Sequence, residues 1–104
     1  MLRKGRLVVI GTARVTLHIA GAQSLKDKRQ VVKSLLAQVQ RQFGVAIAEV
    51  DRQDQWQVAV IGIACVSTSG AHADEVVAKA VNALARTRGD AELLDYETEI
   101  IHAL

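Results

Sequence analysis

The chain contains no proline and one cysteine, Cys65. A single thiol excludes an intramolecular disulfide and a zinc site built from cysteines, so we expect a cytoplasmic location in a reducing compartment. Nothing resembling a linker or a low-complexity segment interrupts the sequence. Residues 1–104 are therefore predicted to form one domain, because domains usually contain about 100 to 150 residues.

Aromatic residues are also scarce, since Phe43, Trp56 and Tyr96 are the only three. An RNA-recognition motif stacks bases on aromatic rings of its two central strands, and this sequence does not supply them. The three histidines, His18, His72 and His102, lack metal-ligand spacing. We therefore expect no metal, no cofactor and no catalytic residue.

Long apolar runs and phosphate-loop motifs are missing as well. The apolar stretch after the basic N-terminus is interrupted at Gly11, Thr12 and Arg14, so neither a signal peptide nor a membrane partner is expected. The segment 21–24 lacks the Gly-Lys-Ser/Thr run that binds ATP phosphates. Lys and Arg number 13 against 11 Asp and Glu, and this net charge of +2 permits an anionic partner without requiring one.

Four segments have the pattern of β-strands. Alternating apolar and polar residues predict a first strand over 8–19 and a last strand near 94–100, whose charged face suits a sheet edge. Segments 45–50 and 56–66 flank a polar loop and are predicted to form a hairpin. The second of these is apolar on both faces, which is typical of a central strand.

Two segments have the apolar spacing of helices. Ser24 and Asp27 provide capping side chains for a helix that begins near Leu25, and Gly44 is the expected stop. A second helix is predicted from about 70 to 89. The order βαββαβ, with right-handed crossovers, predicts a ferredoxin-like α/β sandwich of the α+β class, with both helices on one face of a four-stranded antiparallel sheet. The expected core contains Val15, Leu17, Leu35, Leu36, Val39, Ile61, Ile63, Val81 and Leu84.

Two surfaces are candidates for function. The open face of the sheet is expected to present apolar residues of the third strand, and an exposed apolar face favours burial in a homo-oligomer. The interface residues predicted there are Val58, Val60, Ala64 and Val66.

The second surface is the basic start of the first helix, where cations oppose the helix dipole unless a partner compensates. Lys26, Arg29 and Lys33 fall at i, i+3 and i+7. A phosphate-binding surface is the functional interpretation, and a solvated face paired with acids such as Asp27 is the alternative. The predicted nucleic-acid contacts are Arg14, Lys26, Lys28, Arg29 and Lys33, joined by Arg3, Lys4 and Arg6.

The segment Ser24-Leu25-Lys26-Asp27-Lys28-Arg29 resembles the signature of the YlxP-like family of bacterial proteins of unknown function. Further similar pieces follow in the same order at 31–36, 43–45, 48–50, 54–57, 62–64 and 71–76. The resemblance implies a ferredoxin-like fold and a gene placed among translation and ribosome-maturation genes. It implies no reaction.

These observations predict a non-enzymatic binding module for ribosomal or other structured RNA, which it contacts through the first helix. The alternative is a homo-oligomeric protein-interaction domain that binds no nucleic acid. A phosphate-transfer enzyme of the acylphosphatase type is not favoured, because no arginine lies between Ala20 and Ser24 after the first strand.

Overall fold

Six elements follow one another in the predicted order βαββαβ. The computed structural model describes residues 8–86 and 91–104. Within them lie β1 (Val9–His18), α1 (Leu25–Phe43), β2 (Ala46–Asp51), β3 (Val58–Ser67), α2 (Gly70–Ala85) and β4 (Glu92–His102). The N-terminal cations Arg3, Lys4 and Arg6, and the predicted end of the second helix near residue 89, lie outside the described residues.

The four strands form one antiparallel sheet in the order β2-β3-β1-β4. The third strand is central, as predicted, the first strand is central beside it, and both helices cover the same face. This arrangement is a ferredoxin-like α+β sandwich, which confirms the predicted fold class. Helix α1 packs against β2 and α2, whereas α2 packs against β1, β3 and β4.

Local signals set both ends of α1. The Ser24 hydroxyl accepts a hydrogen bond from Asp27 N–H at 3.1 Å, and the Asp27 carboxylate accepts one from Gln23 N–H at 3.2 Å. These bonds satisfy donors that the first helical turn leaves free. Gly44 ends the helix at φ 64°, where a residue without Cβ is favoured. The predicted helix start and stop are confirmed.

The core lies between the sheet and the helices. Alternate residues of β1 face it, because strand side chains alternate between the two faces of a sheet. Of the predicted core residues, all are buried except Leu36, which is half-buried at the margin. Trp56, in the β2–β3 loop, is 53% exposed. Neither helix is long and apolar enough to span a membrane.

Candidate nucleic-acid interface

The exposed face of α1 carries the three predicted cations in one row, called the α1 row, and Arg41 is a further exposed cation in the last turn of the helix. Lys26, Arg29 and Lys33 all lie in solvent, as their spacing predicts. The row covers about 10 Å of the helix axis, given a rise of about 1.5 Å per residue. None of the three forms an ion pair with another described residue.

Asp27 is the only acidic residue of α1. Its carboxylate bonds the Gln23 N–H in the helix cap and does not pair with a cation of the row. The alternative interpretation, a basic face paired with Asp27, therefore finds no ion pair in the described part of the chain. The charge of the row remains available to a partner.

Lys28 does not lie on this surface, so the prediction that it contacts nucleic acid is corrected. Its side chain is only 1% exposed. The Nζ atom donates a hydrogen bond to the Arg52 carbonyl oxygen at 2.6 Å and lies 2.7 Å from Glu49 Oε2. Glu49 Oε2 is buried and forms no hydrogen bond, so its contact with Lys28 is an ion pair only. Lys28 points inward because it lies one helical turn before buried Val32.

The partners of Lys28 come from the end of β2. A bulge shifts the register so that Glu49 lies opposite Ile61 on the helix-facing side, while Asp51 lies opposite Val60 on the open side. The Arg52 carbonyl also accepts from Gln55 N–H at 3.1 Å in the following turn. Lys28 thus attaches the β2–β3 loop to the start of α1.

Arg14 lies on the opposite side of the molecule from the α1 cations. It occupies the open face of β1, and its Nη2 atom is 3.3 Å from Asp51 Oδ2. In the sheet register its neighbour on β4 is Glu97. The structure therefore does not bring Arg14 together with the α1 row, and it separates this predicted contact from the other exposed cations.

All four predicted interface residues lie on the open face, where their partners on β1 are His18, Thr16, Thr12 and Ile10. They differ in exposure, because Val66 is 73% exposed and Val60 only 2%. Arg14 on β1 and Asp51 on β2 lie on either side of β3, so their ion pair crosses β3 near Val60. Val60 is thus corrected from an interface residue to one covered by its own chain.

Several apolar residues of this face were not predicted, among them Ile10, Ile101 and Val50, which lies at the bulge of β2 beside Gly62. Ile10 lies beside Val66 in the sheet, and Ile101, which is 39% exposed, lies beside Ile10 on β4. The strand parity of Ile10 and Thr12 could have identified the first of them. Val66, Ile10 and Ile101 together form the open-face row.

The rest of the open face of β4 is acidic. Asp95, Glu97 and Glu99 lie opposite Thr16, Arg14 and Thr12. None of these three carboxylates pairs with a cation in the described chain. The described surface therefore has a basic helix and an acidic strand on different sides.

The other titratable groups of the described residues form no metal site. On α2, Lys79 hydrogen-bonds Glu75 one turn away, and this bond and the lysine charge lower the pKa of the glutamate. Within residues 8–86 and 91–104, no group of three or more His, Cys, Asp or Glu side chains is arranged to hold a metal ion.

The family model for a protein of unknown function, DUF503, matches residues 10–98. The chain belongs to this family. It is also 48% identical over 61 residues to the uncharacterized protein YlxP of Bacillus subtilis (strain 168). That match covers 59% of this chain and 66% of the relative, which is slightly less than two thirds of its length. The predicted family resemblance is confirmed.

Among solved structures, the de novo designed protein Foldit4 is similar in fold. The TM-score is 0.50 at 15% sequence identity, and the match covers 93% of this chain and 99% of the designed one. At this identity the similarity concerns the fold alone. It supports the ferredoxin-like sandwich of this DUF503 member and says nothing about its activity.

Proposed function

We propose that the protein is a non-enzymatic binding module that contacts structured RNA through Lys26, Arg29 and Lys33. One observation carries the proposal: three exposed cations lie in a row on α1, and no described carboxylate pairs with them. RNA phosphates would supply the missing counter-charge, and release of their counterions would favour binding.

The placement of the other charges also supports binding of RNA on the α1 side of the molecule. The acidic residues of β4 lie on the open face, whereas α1 covers the opposite face beside β2. A polyanion is therefore repelled from one side of the molecule and attracted to the other. We take ribosomal RNA as the first RNA to test, because the family resemblance implies genes for translation and ribosome maturation as neighbours.

The decisive variant replaces Lys26, Arg29 and Lys33 by Gln together. Each phosphate contact contributes about 0.7 to 0.9 to the steepness of the slope of log affinity against log salt. The loss of three contacts should therefore make the slope of the variant shallower by about 2 to 3. The melting temperature should stay the same or rise slightly, because cations near a helix start are unfavourable. Sedimentation with ribosomal subunits, and titration of a labelled ribosomal RNA fragment across a salt series, measure the effect.

A charge-matched control replaces Arg14, Lys79 and Arg86 by Gln. These exposed residues lie on β1, on α2 and at the C-terminal cap of α2, away from the α1 row, and their loss changes the net charge by the same three units. This control should keep the salt slope of the parent protein. Parent-like binding by the α1 variant would contradict the proposal, as would equal losses in both variants.

A second candidate function is self-association through the open face, which the exposure of Val66 and Ile101 favours. Four strands about 4.8 Å apart and about ten residues of about 3.3 Å give roughly 600 Å² per face. Two such faces would bury at most roughly 1,200 Å², at the lower end of stable interfaces. The partner would be a second copy of this chain, with the β4 carboxylates at the rim.

A further inference from the structure

We infer that the exposed face of α1 docks on double-stranded RNA and contacts 2′-hydroxyl groups as well as phosphates. This inference rests on the proposed function and names the class of RNA that the same surface would select. It follows from the uncharged residues between and beyond the three cations.

The exposed uncharged side chains of this face are amides and a hydroxyl. At about 100° per residue, Gln30, Ser34 and Gln40 lie within about 80° of Lys26 around the helix axis, and all three are exposed. Half-buried Ala37 and the exposed cation Arg41 lie within the same range. Together with the α1 row, the two amides and the hydroxyl form the α1 docking face, defined as Lys26, Arg29, Gln30, Lys33, Ser34 and Gln40.

Amide and hydroxyl groups suit the shallow groove of an RNA duplex. An A-form helix displays 2′-hydroxyls in a wide, shallow minor groove, and each of these groups both donates and accepts hydrogen bonds. A glutamine amide also does both, as does a serine hydroxyl. Lysine and arginine have no acceptor, so they can donate to phosphate or 2′-hydroxyl oxygens but cannot accept a hydrogen bond from the 2′-hydroxyl.

The same face lacks what unpaired RNA would require. Proteins that recognise single strands stack bases on aromatic rings. No aromatic side chain lies on the α1 docking face: Phe43 belongs to the margin of the core, and Trp56 lies in the β2–β3 loop. The surface is therefore complementary to a duplex backbone, whose bases are already stacked.

The geometry of α1 allows this contact. Its buried residues, Lys28, Val32, Leu35 and Val39, occupy one side of the helix. The docking face lies on the other side, and it runs for about 21 Å from Lys26 to Gln40 at about 1.5 Å per residue. A partner can thus lie along the helix without disturbing the core.

The test compares one sequence as duplex RNA, duplex DNA and single-stranded RNA, each titrated with the full chain at the same salt concentration. The parent protein should bind duplex RNA most tightly. Replacing Gln30, Ser34 and Gln40 by Ala together should weaken duplex RNA binding by about tenfold or more, since each lost hydrogen bond contributes a few-fold. Duplex DNA binding and the salt slope should not change, because the cations remain.

A matched control replaces Gln38 and Gln42 by Ala. These exposed glutamines of the same helix line the groove between α1 and α2 together with Lys79 and Asn82. This variant should bind duplex RNA like the parent. Melting curves for both variants confirm folding, and alanine should preserve the helix.

The outcomes separate this inference from the proposed function. Equal affinity for RNA and DNA duplexes with a steep salt slope would overturn the inference and leave phosphate binding by α1 intact, as would tighter binding of the single strand. Failure of all three nucleic acids to bind would overturn the proposed function itself.

Discussion

Lys28 and Glu49 are oppositely charged side chains enclosed between α1 and β2. Removing both from water costs several kcal/mol per ion, and the close contact and the bond to the Arg52 carbonyl offset that cost only while both partners are present. The pair therefore contributes little net free energy as a whole. Loss of one partner alone should be costly.

We expect Lys28→Met to lower the free energy of unfolding by about 3 to 5 kcal/mol, because it leaves the Glu49 carboxylate buried without a counter-charge. Urea denaturation monitored by circular dichroism measures this change. The double variant Lys28→Met, Glu49→Leu should recover most of the loss, since two apolar side chains need no partner. A single variant as stable as the parent would show that the ion pair is not enclosed in solution.

The inward direction of Lys28 could have been predicted only in part. Its spacing of four and seven residues from Val32 and Leu35 places it on the apolar stripe of α1. Its partners Glu49 and Arg52, however, lie more than 20 residues away, at a bulge of β2 and just after that strand, and no local pattern in the sequence predicts the bulge. Side-chain charge favoured a surface position, and tertiary contacts override that preference.

At the scale of elements, local chemistry was sufficient where it acts within a few residues. The ends of α1 are determined by the hydrogen bonds of Ser24 and Asp27 and by the backbone angle of Gly44. The alternation of apolar and polar residues was sufficient to locate the strands. The approach of α2 to β1 was not predicted. It depends on Gly11, whose missing side chain leaves room for Ala73 and Val77.

Gly11→Ala should reduce the free energy of unfolding by about 1 to 3 kcal/mol, the usual cost of overpacking. An added Cβ would lie 2.9 Å from the Ala73 carbonyl oxygen and 3.0 Å from Val77 Cγ2, so α2 would have to shift. Gly21→Ala is the control, because nothing lies within 4 Å of a Cβ there. Its effect should stay within about 0.5 kcal/mol in the same denaturant titration. Equal effects at both glycines would contradict this packing.

At the scale of the whole molecule, strand order followed from the right-handed crossover rule and from the two-sided apolar character of β3. Parity also placed Val58, Val60, Ala64 and Val66 on the open face. It did not predict that Arg14 would reach across β3 to Asp51, because that ion pair joins strands that are not neighbours. Exposure within a face thus depends on side chains from other strands.

Self-association is therefore tested at Val66 and not at Val60. The parent protein should form dimers at tens of micromolar, and Val66→Glu should abolish them by placing a charge in the open-face row. The monomer should remain as stable as before, within about 0.5 kcal/mol, since Val66 is exposed. Light scattering measures the mass, with Gln42→Glu on α1 as a charge-matched control. A parent protein that is monomeric at these concentrations would contradict self-association through the open face.

The buried position of Lys28 has a consequence for genetics. Under the proposed function, a screen for loss of function of this protein would recover substitutions at Lys26 and at Lys28, two nearby lysines in one short segment, and would group them as one phenotype. A Lys26 substitution would remove the proposed RNA contact, whereas a Lys28 substitution would lower the amount of folded protein. Cellular abundance of each variant separates the two, so a level of protein near that of the parent identifies residues of the contact surface.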